Sequence, residues 1–189
     1  METCDGLAAK LRAKKFLDDV AIEVEIDRRD LGGGVKNWDW IKKGVPLRVE
    51  IGPRDLENNS VTVSRRDQPV KNKESIRMDE FATQAPEILV SIQNSLYARA
   101  KEFRDANTHV INSKKDFYDF FTAKNPSKPE IHGGFALAHW NGSREIEEQV
   151  KTDLKVTIRV IPLDDSCEPG KCIFTGEPSA RRVVWAKSY

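Results

Sequence analysis

The sequence has 189 residues, of which 39% are hydrophobic and 32% are charged, and its formal net charge is +1. These values fit a soluble globular protein of one large or two small domains, and they exclude a strongly basic chain that binds nucleic acid indiscriminately through phosphates. No apolar run is long enough to span a membrane, the N-terminal segment is not a secretory signal, and three cysteines are too few for a disulfide framework. We therefore expect a cytoplasmic protein without a membrane partner, in which any RNA site depends on local clustering of charge.

The first half of the chain predicts alternating helices and strands. A helix is expected over residues 5–15, and the alternation of apolar and charged residues at 21–26 predicts a half-buried strand. Three glycines at 32–34 precede a short helix over 36–42, which Gly44 ends in the manner of a C-terminal cap.

Two strands follow, at residues 47–51 and 61–63, with turn residues at 57–59 between them. Their proximity predicts an antiparallel hairpin. A polar stretch at 68–74 then leads to a long amphipathic helix, in which Pro86 is expected in the first turn.

The second half predicts a second mixed module. Ser113 and Asp116 form a capping-box pattern before an aromatic helix. The predicted elements after it are a strand at 135–138, a helix at 144–151, a strand at 156–161 and a final strand at 182–186, with a turn at 176–178. The whole chain is therefore predicted to have a mixed α/β fold of two modules.

Six segments, in the same order along the chain, resemble archaeal and eukaryotic-type prolyl-tRNA synthetases. The most specific is KGVPLRVEIGPRDL at 43–56, which is similar to the signature of the family's anticodon-binding domain. The others are DRRD at 27–30 with the glycine turn after it, VTVSRRD at 61–67, FALAHW at 135–140, TIRVIP at 157–162 and the terminal RRVVWAKSY at 181–189.

The resemblance implies an anticodon-binding domain at 1–75 without its usual first strand, a bridging helical segment at 76–108, and a zinc-domain-like C-terminal module at 109–189. It implies a role in the ATP-dependent attachment of proline to its tRNA. The catalytic domain, with ATP and magnesium, is expected upstream of a truncated chain, so we expect no cofactor and no catalytic residue here, and no activity from the chain alone. The parent protein is expected to be a homodimer.

The resemblance also implies the residues that bind the anticodon. It places Arg48, Arg54 and Asp55 at contacting positions, and Lys36 and Asp39 on the nearby helix. Proline anticodons carry two guanines, whose Watson–Crick edges present two donors and one acceptor. Asp55 is the expected guanine reader, and Arg48 the partner of a phosphate or of guanine O6. The alternative is that Arg54 and Asp55 only cap a strand end through a turn salt bridge.

Two positions depart from the family pattern. Asn37 stands where an aromatic residue is usual, and Ile41 where a glutamate is usual. A stacking ring and a guanine acceptor are therefore missing from their usual places. Trp38 or Trp40 are candidates to stack on a base instead, and core packing is an equal alternative for Trp40.

A zinc site typical of relatives is expected to be lost. The resemblance maps its four cysteine positions to Asn141, Ile146, Cys172 and Thr175, so a single thiol remains. A rearranged site would need Cys167 with Cys172 and either His132 or His139, and we predict no metal. The resemblance further implies that the segment ending at Tyr189 contacts the catalytic domain.

Two other readings stay open from sequence. One is a free-standing RNA-binding adaptor derived from a synthetase. The other is a scaffold that binds proteins through the long helix and the C-terminal module. An independent enzyme is disfavoured because no phosphate-binding glycine loop or catalytic triad pattern stands out.

Overall fold

The computed structural model describes residues 1–17, 19–125, 127, 134–163 and 168–188. The chain divides into two compact units, the first ending at Lys101 and the second beginning at Glu102. The three-part division at residues 75 and 108 stays a prediction. No helix within the described ranges combines the length and the apolar character that a membrane span requires.

The first unit is built on a three-stranded antiparallel sheet in the order β3-β4-β5. Its elements are α1 (Glu2–Arg12), β1 (Lys15–Phe16), β2 (Val20–Ala21), α2 (Gly33–Lys43), β3 (Leu47–Glu50), α3 (Pro53–Glu57), β4 (Ser60–Arg65), β5 (Glu74–Arg77) and the first part of α4 (Met78–Ala106). The strands β1 and β2 form a separate short hairpin. The predicted pairing of the two central strands is confirmed, with Val49 opposite Val63.

One face of this sheet is apolar because alternate residues of each strand point the same way. Val61 and Val63 are buried on that face against Leu7 of α1 and Phe81 of α4. The residues on the opposite face are polar, and that face carries the candidate site described below.

Several predicted boundaries were wrong. Only Val20 and Ala21 pair as a strand near the predicted 21–26 segment, although burial alternates from Ile22 to Ile26. The strand β5 and the short helix α3 were not predicted. Pro86 lies inside α4 and not in its first turn, since the helix already begins at Met78.

The second unit contains a four-stranded mixed sheet in the order β6-β7-β11-β8. Its elements are β6 (Thr108–Val110), α5 (Lys114–Phe121), β7 (Phe135–His139), α6 (Arg144–Leu154), β8 (Val156–Val160), β9 (Gly170–Lys171), β10 (Pro178–Ser179) and β11 (Arg182–Lys187). The strand β6, which was not predicted, pairs parallel to β7, and the other pairs are antiparallel.

The core of the second unit is aromatic. Phe117 of α5 packs edge-on against Phe121, Phe174 and Trp185, with ring centroids 5.0–5.5 Å apart. Of the predicted capping box, the Ser113 half is confirmed, because the Ser113 hydroxyl accepts a hydrogen bond from the backbone N–H of Asp116; the Asp116 carboxylate accepts from that same hydroxyl. The two units together confirm the predicted mixed α/β fold class.

Candidate nucleic-acid interface

The polar face of the first sheet is formed by residues that stand opposite each other on neighbouring strands. Arg48 lies opposite Ser64, and Glu50 lies opposite Thr62. Directly opposite residues of an antiparallel pair share one face of the sheet. The strands therefore bring a guanidinium, a carboxylate and two hydroxyl groups together on a surface next to α2.

Arg48 is the most unusual residue of this surface. Only 9% of the residue is exposed. Its Nε donates a hydrogen bond of 2.7 Å to Oδ1 of Asn37, a neutral partner. Within the described part of the chain no carboxylate forms a salt bridge with it, and burial lowers the pKa of the Arg48 guanidinium. The Nη edge is thus a largely desolvated cation that forms no salt bridge with a described carboxylate, although the charge of Glu50 on the same face offsets part of the lowering of its pKa.

Asp55 and Arg54 lie at the start of α3, beside this face. The Asp55 carboxylate accepts a hydrogen bond of 2.8 Å from the backbone N–H of Gly52 and one of 3.0 Å from the hydroxyl of Thr62. The carboxylate therefore caps α3 and ties it to β4. Arg54 is exposed, and among the described residues it forms no salt bridge with Asp55.

The remaining predicted residues lie on α2 and contact the segment before it. Trp40 donates from its indole N–H to Oδ2 of Asp27 at 2.8 Å. Asp39 accepts a hydrogen bond of 3.0 Å from Arg29, and Lys36 donates to the backbone carbonyl of Asp27 at 3.4 Å. With Arg48 and Asp55, five of the six predicted site residues thus have side chains that form hydrogen bonds within the protein.

The two tryptophans of α2 differ in their surroundings. The ring of Trp40 is half-buried and lies under the Lys43 ammonium, which is 4.1 Å from the ring centroid. Trp38 is 58% exposed. Of these two rings, Trp38 has the larger free surface for stacking.

Sequence reasoning did not single out Asp27, Arg29 and Asn37, which contact the candidate residues in the structure. Asp27 and Arg29 belong to the DRRD segment, which was used only for the family resemblance. Asn37 was considered only as a departure from the family pattern. The signal that would have found Asn37 is its position one residue after Lys36, on a helix that precedes the strand of Arg48.

Of the four positions that the resemblance assigns to zinc ligands, Asn141 and Thr175 form hydrogen bonds with Glu177. Asn141 donates from its side-chain amide to Oε2 of Glu177 at 2.6 Å, and the Thr175 hydroxyl donates to the same oxygen at 3.4 Å. Ile146 packs against the aromatic core of the second unit. These side chains do not fit a tetrahedral metal site, and no group of three metal-ligating side chains occurs in the described residues.

The remaining thiol, Cys172, is buried. Burial alone raises the pKa of a thiol, but hydrogen bonds from Thr175 and from backbone groups of Phe174 and Asn141 outweigh it and leave the Cys172 pKa below its ordinary value. His139 is also buried, with Nδ1 3.2 Å from the Ser179 hydroxyl oxygen. The predictions for His132, Cys167 and Tyr189 fall outside the described residues.

Comparison with known proteins identifies both parts of the chain. Residues 1–88 match the family model described as anticodon binding domain, and residues 127–189 match the one described as prolyl-tRNA synthetase, C-terminal. The chain is 46% identical to proline--tRNA ligase 2 of Anaeromyxobacter dehalogenans over 98% of its length, and 46% identical to proline--tRNA ligase of Protochlamydia amoebophila over 100%. It is 42% identical to the proline--tRNA ligase of Akkermansia muciniphila over 100% of its length. The chain spans 36–37% of the length of these curated relatives.

Proposed function

The chain belongs to the prolyl-tRNA synthetase family, in which it corresponds to the anticodon-binding domain and the C-terminal region, and we propose that it binds the anticodon of a proline tRNA. The proposed surface is the polar face of β3 and β4 together with α2 and the start of α3. Its residues are Lys36, Asp39, Trp40, Arg48, Arg54 and Asp55.

The observation that carries this proposal is the environment of Arg48. A charged group removed from water is normally paired or fully hydrogen-bonded, because desolvation of an unpaired charge is costly. The Nη edge of Arg48 has no salt-bridge partner among the described residues, so a hydrogen-bond acceptor from a ligand would satisfy its N–H donors. Guanine O6 and phosphate oxygens are such acceptors, and arginine binds both with two parallel hydrogen bonds.

Asp55 complements this cation. Each oxygen of an ionised carboxylate accepts more than one hydrogen bond, so the contacts with Gly52 and Thr62 leave capacity for two donors. A guanine edge supplies two N–H donors. The cap thereby orients the carboxylate, and Asp55 reads guanine while Arg48 meets O6 or phosphate. Exposed Arg54 contributes positive charge beside them.

At the level of the whole protein, the names of the relatives support a part in the ATP-dependent attachment of proline to its tRNA. In this proposal the chain selects the tRNA, while a catalytic domain of the same protein binds ATP and magnesium. The Tyr189 segment contacts that domain, and the complete protein is a cytoplasmic homodimer. The chain alone is expected to show no proline activation in a pyrophosphate-exchange assay.

The archaeal and eukaryotic subtype is a narrower proposal, based on the 43–56 motif and the terminal segment. The relatives reported above are bacterial proteins and give this subtype no support. Placing the full-length protein in a tree with both subtypes would decide it.

The test is binding of this chain to a proline tRNA transcript and to transcripts with either anticodon guanine changed, at fixed salt. We expect the chain to prefer the unchanged anticodon. Arg48→Lys keeps the charge but loses the two-pronged geometry, and should remove about 1–3 kcal/mol of discrimination at one guanine. Arg99→Lys, on the exposed surface of α4, is the matched control and should leave discrimination unchanged.

Two results would contradict the proposal. Equal and salt-sensitive binding to all transcripts would indicate a generic RNA surface. The absence of binding to any transcript, together with a stable protein partner, would favour the scaffold alternative.

A further inference from the structure

We infer that Arg29 is a positioning residue for the anticodon surface, which it fixes through Asp27 and α2 without touching RNA. This inference rests on the proposed function. The residues concerned, Asp27, Arg29, Asp39 and Trp40, are called the Asp27 cluster below.

Asp27 is the centre of this cluster, and its side chain is only 13% exposed. Oδ1 accepts hydrogen bonds from the backbone N–H of Arg29 at 3.1 Å and from its Nε at 3.0 Å. Oδ2 accepts from Nη2 of Arg29 at 2.7 Å and from the Trp40 indole at 2.8 Å. The hydrogen bonds from Arg29, and then that from Trp40, hold the pKa of Asp27 far below its usual range.

Arg29 joins Asp27 to α2. Its Nε and Nη2 donate hydrogen bonds to Asp27, and its Nη1 donates to Oδ2 of Asp39 at 3.0 Å. The guanidinium is thus shared between two carboxylates, which raise the pKa of Arg29. Lys42 lies 3.6 Å from the other oxygen of Asp39. Because two carboxylates already neutralise it, the Arg29 guanidinium should attract an RNA phosphate only weakly.

These polar contacts are important because α2 has little apolar packing. No residue of α2 is fully buried. A helix normally stays on its sheet by burying an apolar face. Here the helix is attached instead by hydrogen bonds with the segment of residues 27–29, in which Lys36 and Trp40 donate and Asp39 accepts.

The position of α2 in turn determines the orientation of the Arg48 side chain. Asn37 lies on α2, one helical turn before Trp40, and its Oδ1 accepts from Nε of Arg48 at 2.7 Å. Loss of the Asp27 cluster would release the helix and with it Asn37. The Arg48 side chain would then lose its single described hydrogen bond and the orientation of its Nη edge.

Two substitutions test the inference in the whole chain. Trp40→Phe removes the indole donor but keeps an aromatic ring, so it separates positioning from base stacking. Arg29→Gln removes the bridge between the two carboxylates. Trp38→Phe is the matched control, because Trp38 is exposed on the same helix and makes none of the described cluster contacts.

The first measurement needs no RNA. Hydrogen exchange of the Arg48 Nε–H is followed by NMR in each variant. We expect the exchange to accelerate on the order of tenfold in Trp40→Phe and Arg29→Gln, as for loss of a hydrogen bond to a charged group, and to stay unchanged in Trp38→Phe. Unchanged exchange in both cluster variants would overturn the inference, whether or not the protein binds tRNA.

The second measurement is tRNA binding as a function of salt. A residue that contacts phosphate lowers the slope of log affinity against log salt by about 0.7 when it is removed from a single-stranded site. We expect Arg29→Gln to keep the slope of the unmodified chain and to lose guanine discrimination. A reduced slope with discrimination retained would identify Arg29 as a phosphate contact and refute the positioning role. A chain without guanine discrimination before any substitution would refute the proposed function, and the exchange measurement would still decide the role of Arg29.

Discussion

Replacing Gly44 by alanine tests how α2 is ended and connected to β3. Gly44 has φ of 81°, in the left-handed region that favours glycine. A Cβ added there would overlap the guanidinium of Arg66, whose Nη1 donates to the Gly44 carbonyl at 2.5 Å. The substitution therefore strains the backbone and displaces a hydrogen-bonded side chain.

The two effects have separate magnitudes. A left-handed conformation costs a residue with a Cβ about 1–2 kcal/mol. Loss of the hydrogen bond from Arg66 adds about 0.5–1.5 kcal/mol. Gly44→Ala should therefore lower the free energy of unfolding of the first unit by about 1.5–3.5 kcal/mol. In an Arg66→Ala background, only the backbone cost of about 1–2 kcal/mol should remain.

Native-state hydrogen exchange is the suitable assay because it separates the two units. The amides of Val61 and Val63, in the buried central strand β4, report on the first unit. An equal cost of Gly44→Ala in both backgrounds would show that Arg66 is not displaced. A cost under about 0.5 kcal/mol, within the range of ordinary surface substitutions, would refute the reasoning on both effects.

Three further predictions concern pH and metal. Burial lowers the pKa of His139, so its contribution to the stability of the second unit should be complete above the ordinary histidine pKa of 6.5 and be lost as the pH falls below it. Thermal melting of the chain and of His139→Gln would be compared between about pH 7.5 and 5.5, on either side of that pKa. A melting temperature that depends equally on pH in both proteins would contradict the prediction. The side chain of Asp67 is only 4% exposed and forms a salt bridge of 2.9 Å with Arg65. Asp67→Asn should therefore lower the free energy of unfolding of the first unit, measured in urea, by about 3 kcal/mol, the lower end for breaking a buried ion pair. The same contact lowers the pKa of Asp67, so this stability should be lost as the pH falls below 3.8. Finally, a chelator should leave the melting of the second unit unchanged, and a stoichiometric zinc content by elemental analysis would contradict our reading of Asn141 and Thr175.

The candidate surface differs from the prediction in how its residues are used. Lys36, Asp39 and Trp40 were predicted to meet the anticodon, and in the structure each bonds to the segment of residues 27–29. Their contact with RNA stays a prediction. Among the predicted residues, the strongest support for a ligand lies with Arg48.

The sequence by itself determined the features that depend on neighbours in the chain. The alternation at 47–51 predicted β3, and the pattern at Ser113 and Asp116 predicted the start of α5, because strand faces and helix caps involve residues only two to four positions apart. The family resemblance likewise came from contiguous motifs.

Only the tertiary structure decided which distant residues meet. The parallel pairing of β6 with β7, the bridge from Arg29 to Asp39 and the hydrogen bond from Arg48 to Asn37 join residues that no local period relates. The burial of Arg48 without a described salt-bridge partner was equally invisible in sequence, where an arginine in an alternating strand is read as solvent-exposed. Desolvation and long-range hydrogen bonding depend on what the fold places around a side chain, and the residue type alone does not specify that environment.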